Sequence, residues 1–401
     1  MFRRVALALL LCACKHDAPT APDAASSAGS TTTGSSSPAA AASTHASTDA
    51  PSAIDAAPGA CKTLDGPTKL ARRGPFAVVS RMGFVDFYAE DTGKPVLAGS
   101  VHVEPRPGAP AVNAPPVAAA SGHVGKPPCV AAGTFVFCMN SAGEIRRFRV
   151  ATLESDNFVA RARPGTRLAA AMVGGHPVVS YLRDHMTTEG NVTEAFVESD
   201  DGTELRLSED GAGATTVALT SRGQGAVAVY VDARRAMSPV HARTISQSPK
   251  LSLGKDAVLF IAGSAEPATR VALGVHGPTA FVLLPVAHDV DFGLAIVKFD
   301  GEPTTDANVV WSDYPNGLDP APVAESEQFV ARVRPSAAKF GSPRVLEIGT
   351  VDSGSFVPLG LVPTTGDPRD VAIEADGASG FVLAYTDAAG GYAVRMSCEK
   401  K

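Results

Sequence analysis

The chain has 401 residues, with 38 Gly, 31 Pro, 6% aromatic and 45% hydrophobic side chains. That length can build a large core, in one closed architecture or in two smaller domains, and the Gly and Pro content argues against a body of long helices. The formal net charge of −6 gives a mildly acidic surface, which argues against nucleic acid or anionic lipid as the main partner.

In chain order, the first feature is an export pattern. Arg3 and Arg4 precede an apolar run from Val5 to Leu11. The run suits a short signal-peptide core and falls far below the roughly 20 apolar residues that span a bilayer. It ends in Leu11-Cys12-Ala13-Cys14. This resembles the lipobox of bacterial lipoproteins. The resemblance implies a signal peptide over 1–13, cleavage before Cys14, and lipidation of the Cys14 thiol and of the new amine. Ordinary secretory cleavage in the Ala-rich stretch beyond is the rival reading. Acyl chains at about 0.8 kcal/mol per buried methylene would make the membrane attachment effectively permanent. Lys15 stands where the common inner-membrane retention signal has Asp. The expected address is therefore the cell envelope, with the outer membrane favoured over the inner.

Residues 14–60 form the lipid-bearing Cys and a linker. From 15 to 60 the chain is dominated by Ala, Ser, Thr, Pro, Gly and Asp, with Ile54 its single large aliphatic residue. Such a segment cannot bury enough apolar surface to offset its ordering entropy, so a disordered tether is expected. It would span roughly 40 Å as a flexible coil.

From 61 to 401 short runs of Val, Ala, Leu, Phe and Tyr alternate with turn formers. Asp-Gly pairs at Asp65-Gly66, Asp201-Gly202, Asp210-Gly211, Asp300-Gly301 and Asp376-Gly377 supply the positive φ that tight hairpins need. The region reads as all-β. One pattern recurs: four apolar or small residues, often closing on Tyr, then a polar turn. Its clear copies are Val178-Val179-Ser180-Tyr181, Val227-Ala228-Val229-Tyr230 and Val382-Leu383-Ala384-Tyr385. Weaker copies end at Ser80, Cys138, Leu284 and Arg332, which sets steps of 43 to 58 residues. About fifty residues suit one four-stranded blade, and seven such units fill 61–401. The pattern resembles degenerate β-propeller repeats, without a Trp-Asp ending or a double-Gly signature. The expectation is a seven-bladed β-propeller after a disordered N-terminal linker. Six or eight blades, or a pair of β-sandwiches, are the alternatives.

With Cys12 in the signal peptide and Cys14 lipidated, Cys61, Cys129, Cys138 and Cys398 remain. An even number in an oxidising compartment predicts two disulfides, with three pairings open. A propeller closes its last blade with a strand from the other terminus. That resemblance favours Cys61–Cys398, leaving Cys129–Cys138. No Cys-x-x-Cys spacing points to zinc, and no metal or other cofactor is expected.

The chemistry-bearing clusters each have a bland reading. His288-Asp289-Val290-Asp291 could hold a divalent ion but reads as a solvated loop. His176 and His185, flanking a strand and a turn, read as surface residues, and Arg332 and Arg334, alternating on one strand face, could pair with an anionic ligand but read as surface ion pairs. The recurrent Tyr181, Tyr230 and Tyr385 read as packing between blades with their hydroxyls hydrogen-bonded. Ser199-Asp200-Asp201-Gly202-Thr203 looks like a sialidase-type Asp box with one residue missing, and reads as a hairpin. Glu325 and Glu327 could serve a glycosidase only at the right spatial separation. The sequence carries no nucleophile elbow, phosphate loop or His-Glu-x-x-His motif. The functional expectation is a membrane-anchored, non-enzymatic binding or scaffold module for a protein or cell-wall partner. The alternative is a glycan-acting hydrolase or lyase with its site at the propeller mouth.

Overall fold

The computed structural model describes residues 61–103, 129–188, 190–209, 211–234, 239–260, 342–377 and 379–398, with 266–267, 272–276, 279–288, 291–299, 307–312, 323–326 and 329–336 between them. The expected signal peptide, the Cys14 acceptor and the linker over 15–60 lie outside the described residues, as do Asp289, Val290 and Glu327.

Every described element is a β-strand, and the strands form seven antiparallel sheets. Blade 1 comprises Ala77–Arg81, Phe84–Asp91 and Lys94–His102. Blade 2 comprises Val130–Ala132, Phe135–Met139, Glu144–Arg149 and Ser155–Arg161. Blade 3 comprises Ala169–Val173, His176–Thr187, Gly190–Ser199 and Glu204–Arg206. Blade 4 comprises Ala214–Arg222, Gly225–Asp232 and Val240–Gln247, with Leu251–Leu253 and Ala257–Phe260 both pairing with the third strand. Blade 5 comprises Glu266–Pro267, Ala272–His276, Thr279–His288, Asp291–Phe299 and Ala307–Ser312. Blade 6 comprises Val323–Ser326, Phe329–Pro335, Arg344–Asp352 and Ser355–Val362. Blade 7 takes Val371–Asp376, Gly380–Thr386 and Gly391–Cys398 from one end of the domain and Cys61–Leu70 from the other. The expected seven blades are present, and the uniform four strands become three to five.

The ring closes because no blade can cover its own faces. The buried apolar residues fall into seven clusters, one at each junction between neighbouring blades, the junction of blades 7 and 1 included. The inner strand of each blade touches that of the next all the way round. The second strands, covered on both faces, are the most buried: all of Gly380–Thr386 is buried, and all of Gly225–Asp232 after Gly225. Continuous apolar runs in these strands are the sequence signature of that two-sided burial.

Two details correct the sequence reading. Ala77-Val78-Val79-Ser80 is the inner strand of blade 1, whereas the other copies of the pattern lie in second strands. The second strand of blade 1 is Phe84–Asp91, masked in the sequence by Asp86, which sits fully buried against Arg81. Asp201-Gly202 and Asp376-Gly377 do form turns, but Asp65-Gly66 is an irregularity inside the closing strand. Gly66 has φ +98°, and a Cβ there would meet the Ala393 carbonyl oxygen at 2.5 Å.

The cysteines form two disulfides, Cys61–Cys398 and Cys129–Cys138. The first lies across the terminal rung of the blade 7 closure, since Cys61 pairs in register with Cys398. The second ties the entry to blade 2 to its second strand.

Candidate functional site

Tyr181, Tyr230 and Tyr385 occupy one structural position. Each lies in a second strand, five residues after the residue that closes the preceding hairpin (His176, Gly225 and Gly380). Each packs into the apolar cluster shared with the preceding blade. Period-2 alternation puts Cys138 and Arg332 on the same face, two residues earlier. In four blades this face of the second strand carries a clasp of differing chemistry: phenol and acid in blades 3 and 4, a disulfide in blade 2, an ion pair in blade 6. Tyr88, in blade 1, faces the following blade instead, and its buried hydroxyl has no hydrogen-bond partner among the described residues.

The richest clasp is in blade 3. Tyr181, Arg183 and His185 alternate along one strand. Register sets them beside Phe196 and Glu194 on the next, with Glu198 two residues further on, and Glu204 and Arg206 follow on the fourth. The Tyr181 hydroxyl lies 2.9 Å from Glu198 Oε2 and 2.5 Å from Glu204 Oε2. Arg183 grips Glu204 through both terminal nitrogens, at 2.6 and 2.7 Å, and its guanidinium lies 4.0 Å from the Phe196 ring centre. Such a two-point grip is the strong form of a carboxylate–guanidinium contact.

The two carboxylates titrate in opposite directions. Burial raises Glu198, and the neighbouring Glu204 charge adds to this against the Tyr181 and Arg183 contacts. Burial also pushes Glu204 upward, but hydrogen bonds from Arg183 and Tyr181 outweigh it and hold the group below its ordinary value. Burial and the two carboxylates raise Tyr181 far above an ordinary phenol, so it stays protonated and is a hydrogen-bond donor rather than a nucleophile.

Further along the same hairpin, the fully buried Glu194 lies 2.6 Å from His185 Nδ1 and accepts a 2.9 Å hydrogen bond from the Gly211 amide. At its other end His176 pairs with Asp200 at 2.9 Å. The Asp-box-like segment is the turn between strands: the Asp201 carboxylate accepts from the Thr203 amide.

Blade 4 repeats the theme. Asp256 receives His241 Nδ1 at 2.7 Å and Arg243 Nε at 3.1 Å, with the Tyr230 hydroxyl at 3.4 Å, and His241 stacks on Tyr230 at 4.7 Å. Burial pushes Asp256 up, but the His241 and Arg243 contacts prevail and lower it. In blade 7 the Tyr385 hydroxyl accepts from the Thr365 amide at 3.0 Å. In blade 6 Arg332 and Arg334 both engage Glu347, at 2.6 and 3.1 Å, so each already has an anion. His288 and Asp291 pair in register across the blade 5 hairpin, and their side chains lie outside the described residues, as does that of Glu325.

The sequence reading singled out Tyr181, Tyr230, Tyr385, His176, His185, Arg332 and Arg334. It missed Glu198, Glu204, Glu194, Asp256 and Glu347, the carboxylates that engage Tyr181, His185, Tyr230, Arg332 and Arg334. The available signal was the mirrored alternation of Tyr181-Arg183-His185 and Glu194-Phe196-Glu198 about the turn after Thr187, which hairpin register brings together.

No family model and no curated protein matches the chain by sequence. Solved structures do match by shape. The WD40 domain of a Toxoplasma gondii coronin aligns with a TM-score of 0.50 at 6% identity, over 84% of this chain and 85% of that one. This chain is a seven-bladed, WD40-like β-propeller in fold. The propeller is also similar to U3-55K, with a TM-score of 0.46 at 12% identity over 84% of this chain and 98% of that one. A third match is the six-bladed fucose-recognising lectin of Aleuria aurantia, with a TM-score of 0.40 at 12% identity over 65% of the propeller chain and 89% of the lectin. At these identities the likeness concerns the fold alone.

Proposed function

We propose that this protein is a lipid-anchored envelope lipoprotein whose propeller is a non-enzymatic binding module for a protein or cell-wall partner. One observation carries the reading: a closed ring with two disulfides is preceded in the sequence by Leu11-Cys12-Ala13-Cys14 and a stretch over 15–60 dominated by Ala, Ser, Thr, Pro, Gly and Asp. Disulfides fit an oxidising, extracytoplasmic compartment. The side-chain clusters support binding rather than catalysis, because Arg81, Arg183, Arg243, Arg332 and Arg395 each engage a carboxylate of their own blade. Those contacts stitch strands together. Labelled palmitate should enter the wild-type chain and not Cys14→Ser, and the wild type should fractionate with membranes. Crosslinking in intact envelopes should recover a stoichiometric partner. Absence of label overturns the anchor, and absence of any partner overturns the binding role.

A second reading, a glycan-acting hydrolase or lyase, draws on Glu198 and Glu204, whose opposed shifts are the usual mark of an acid–base pair. Against it, both carboxylates converge on one hydroxyl instead of flanking an open gap. Glycan turnover lost in both Glu198→Gln and Glu204→Gln would favour this reading over the first.

A further inference from the structure

The chain enters the ring at Cys61, and the strand that follows is the exposed outer strand of blade 7. Eight of the ten residues of Cys61–Leu70 are exposed, and its ladder with Gly391–Cys398 is broken by two register shifts. Gly391–Cys398, by contrast, is mostly buried and paired on both sides, and the Cys398 amide donates to the Ser379 carbonyl.

Any pull transmitted through residue 60 arrives at the first rung of the weaker ladder. Hydrogen bonds loaded from one end of a ladder give way one after another, so the exposed strand alone would peel. The Cys61–Cys398 bond lies at that first rung, ahead of every other. Tension reaching Cys61 therefore passes covalently to Cys398 and into the interior strand, and the remaining rungs carry no load while the bond is intact. We propose that this disulfide is the junction through which the membrane tether pulls on the propeller, routing tension past the outer strand into the body of blade 7. The inference rests on the anchored reading above. It gives the disulfide a mechanical role distinct from its contribution to equilibrium stability.

The test stretches the full chain in magnetic tweezers, with one handle at the mature N-terminus and a bio-orthogonal handle at the exposed Ser353 of blade 6. The oxidised protein should show no early extension before the ring unfolds. Cys61→Ser/Cys398→Ser should show an early, reversible step of about 30 Å, the length of ten peeled residues. Cys129→Ala/Cys138→Ala, whose bond lies off the tension path, should behave as wild type. Should the serine variant fail to fold, dithiothreitol can be flowed over the folded Cys129→Ala/Cys138→Ala molecule under tension. Exchange then leaves two cysteine thiols and oxidises the reagent to its cyclic disulfide, and the early step should appear. Identical traces with the bond present and absent would overturn the proposal. Palmitate labelling at Cys14 is independent of these traces, so failure of the anchor and failure of the junction are told apart.

Discussion

Blades 3 and 7 both have four strands but are closed in different ways. Blade 3 is one continuous stretch, and its outer strand, Glu204–Arg206, follows the third after a tight turn. Side chains suffice there: Glu204 reaches back to Tyr181 and Arg183. Blade 7 borrows its outer strand from the far end of the domain, and the cysteines that join it are 337 residues apart. Bringing such distant segments together costs more loop-closure entropy than a local turn does. A crosslink removes that cost from the unfolded chain, whereas polar contacts only offset it. The difference suggests that covalent closure is placed where the sequence separation is greatest.

The largest expected effect follows from this. Replacing both Cys61 and Cys398 with Ser should lower the unfolding free energy by up to about 6 kcal/mol in the chain-entropy account. Urea titration measures it. A loss under about 1 kcal/mol would mean that the ladder closes the ring unaided. Removing Cys129–Cys138, nine residues apart, should cost about 2–3 kcal/mol on the same scale. If the local bond proved the costlier of the two, sequence separation would not be what distinguishes the blades.

Polar closure has its own internal control. Tyr181→Phe strips a hydroxyl from two carboxylates and should cost about 1–3 kcal/mol. Tyr88→Phe removes a buried hydroxyl that has no partner among the described residues, so its thermal unfolding should be unchanged or slightly higher. Equal losses in the two variants would show that ring packing, not the hydroxyl, sets the effect.

Much of this fold was legible in the sequence because second strands buried on both faces carry short apolar runs, and three of those runs close on Tyr. The spacing of Tyr181, Tyr230 and Tyr385 carries the repeat length, and the repeat length carries the blade number. Blade 1 broke the pattern because Asp86 interrupts its second strand, and a buried charge is tolerated only through partners, here Arg81 and Ser100. The carboxylates were illegible for a different reason. Glu204 and Glu198 are six residues apart, and Asp256 and Tyr230 are separated by two strands, Val240–Gln247 and Leu251–Leu253. Which acid meets which phenol depends on hairpin register, and a slip of one residue would turn each to the opposite face.

The smallest expected effect is also the most specific to the blade 3 clasp. A phenol has one proton and cannot donate to two carboxylates at once. With Glu204 ion-paired to Arg183, the arrangement is relieved when Glu198 is protonated and donates in turn. Glu198 is raised above its ordinary value of 4.5, chiefly by burial. Its stabilising contribution is therefore fully present below that value and is lost as pH rises through the raised one. Glu204 is lowered, so its contribution is present above 4.5 and is lost as pH falls through the depressed value. Glu198→Gln mimics the protonated acid and should gain on wild type as pH climbs above 4.5. Glu204→Gln should lose to wild type at neutral pH and converge with it in acid. Both groups are partly solvated, which limits each effect to about 1 kcal/mol. Melting temperatures of the three proteins from pH 3 to 7 decide the matter, and parallel curves would mean that the two acids are indifferent to the proton they are placed to share.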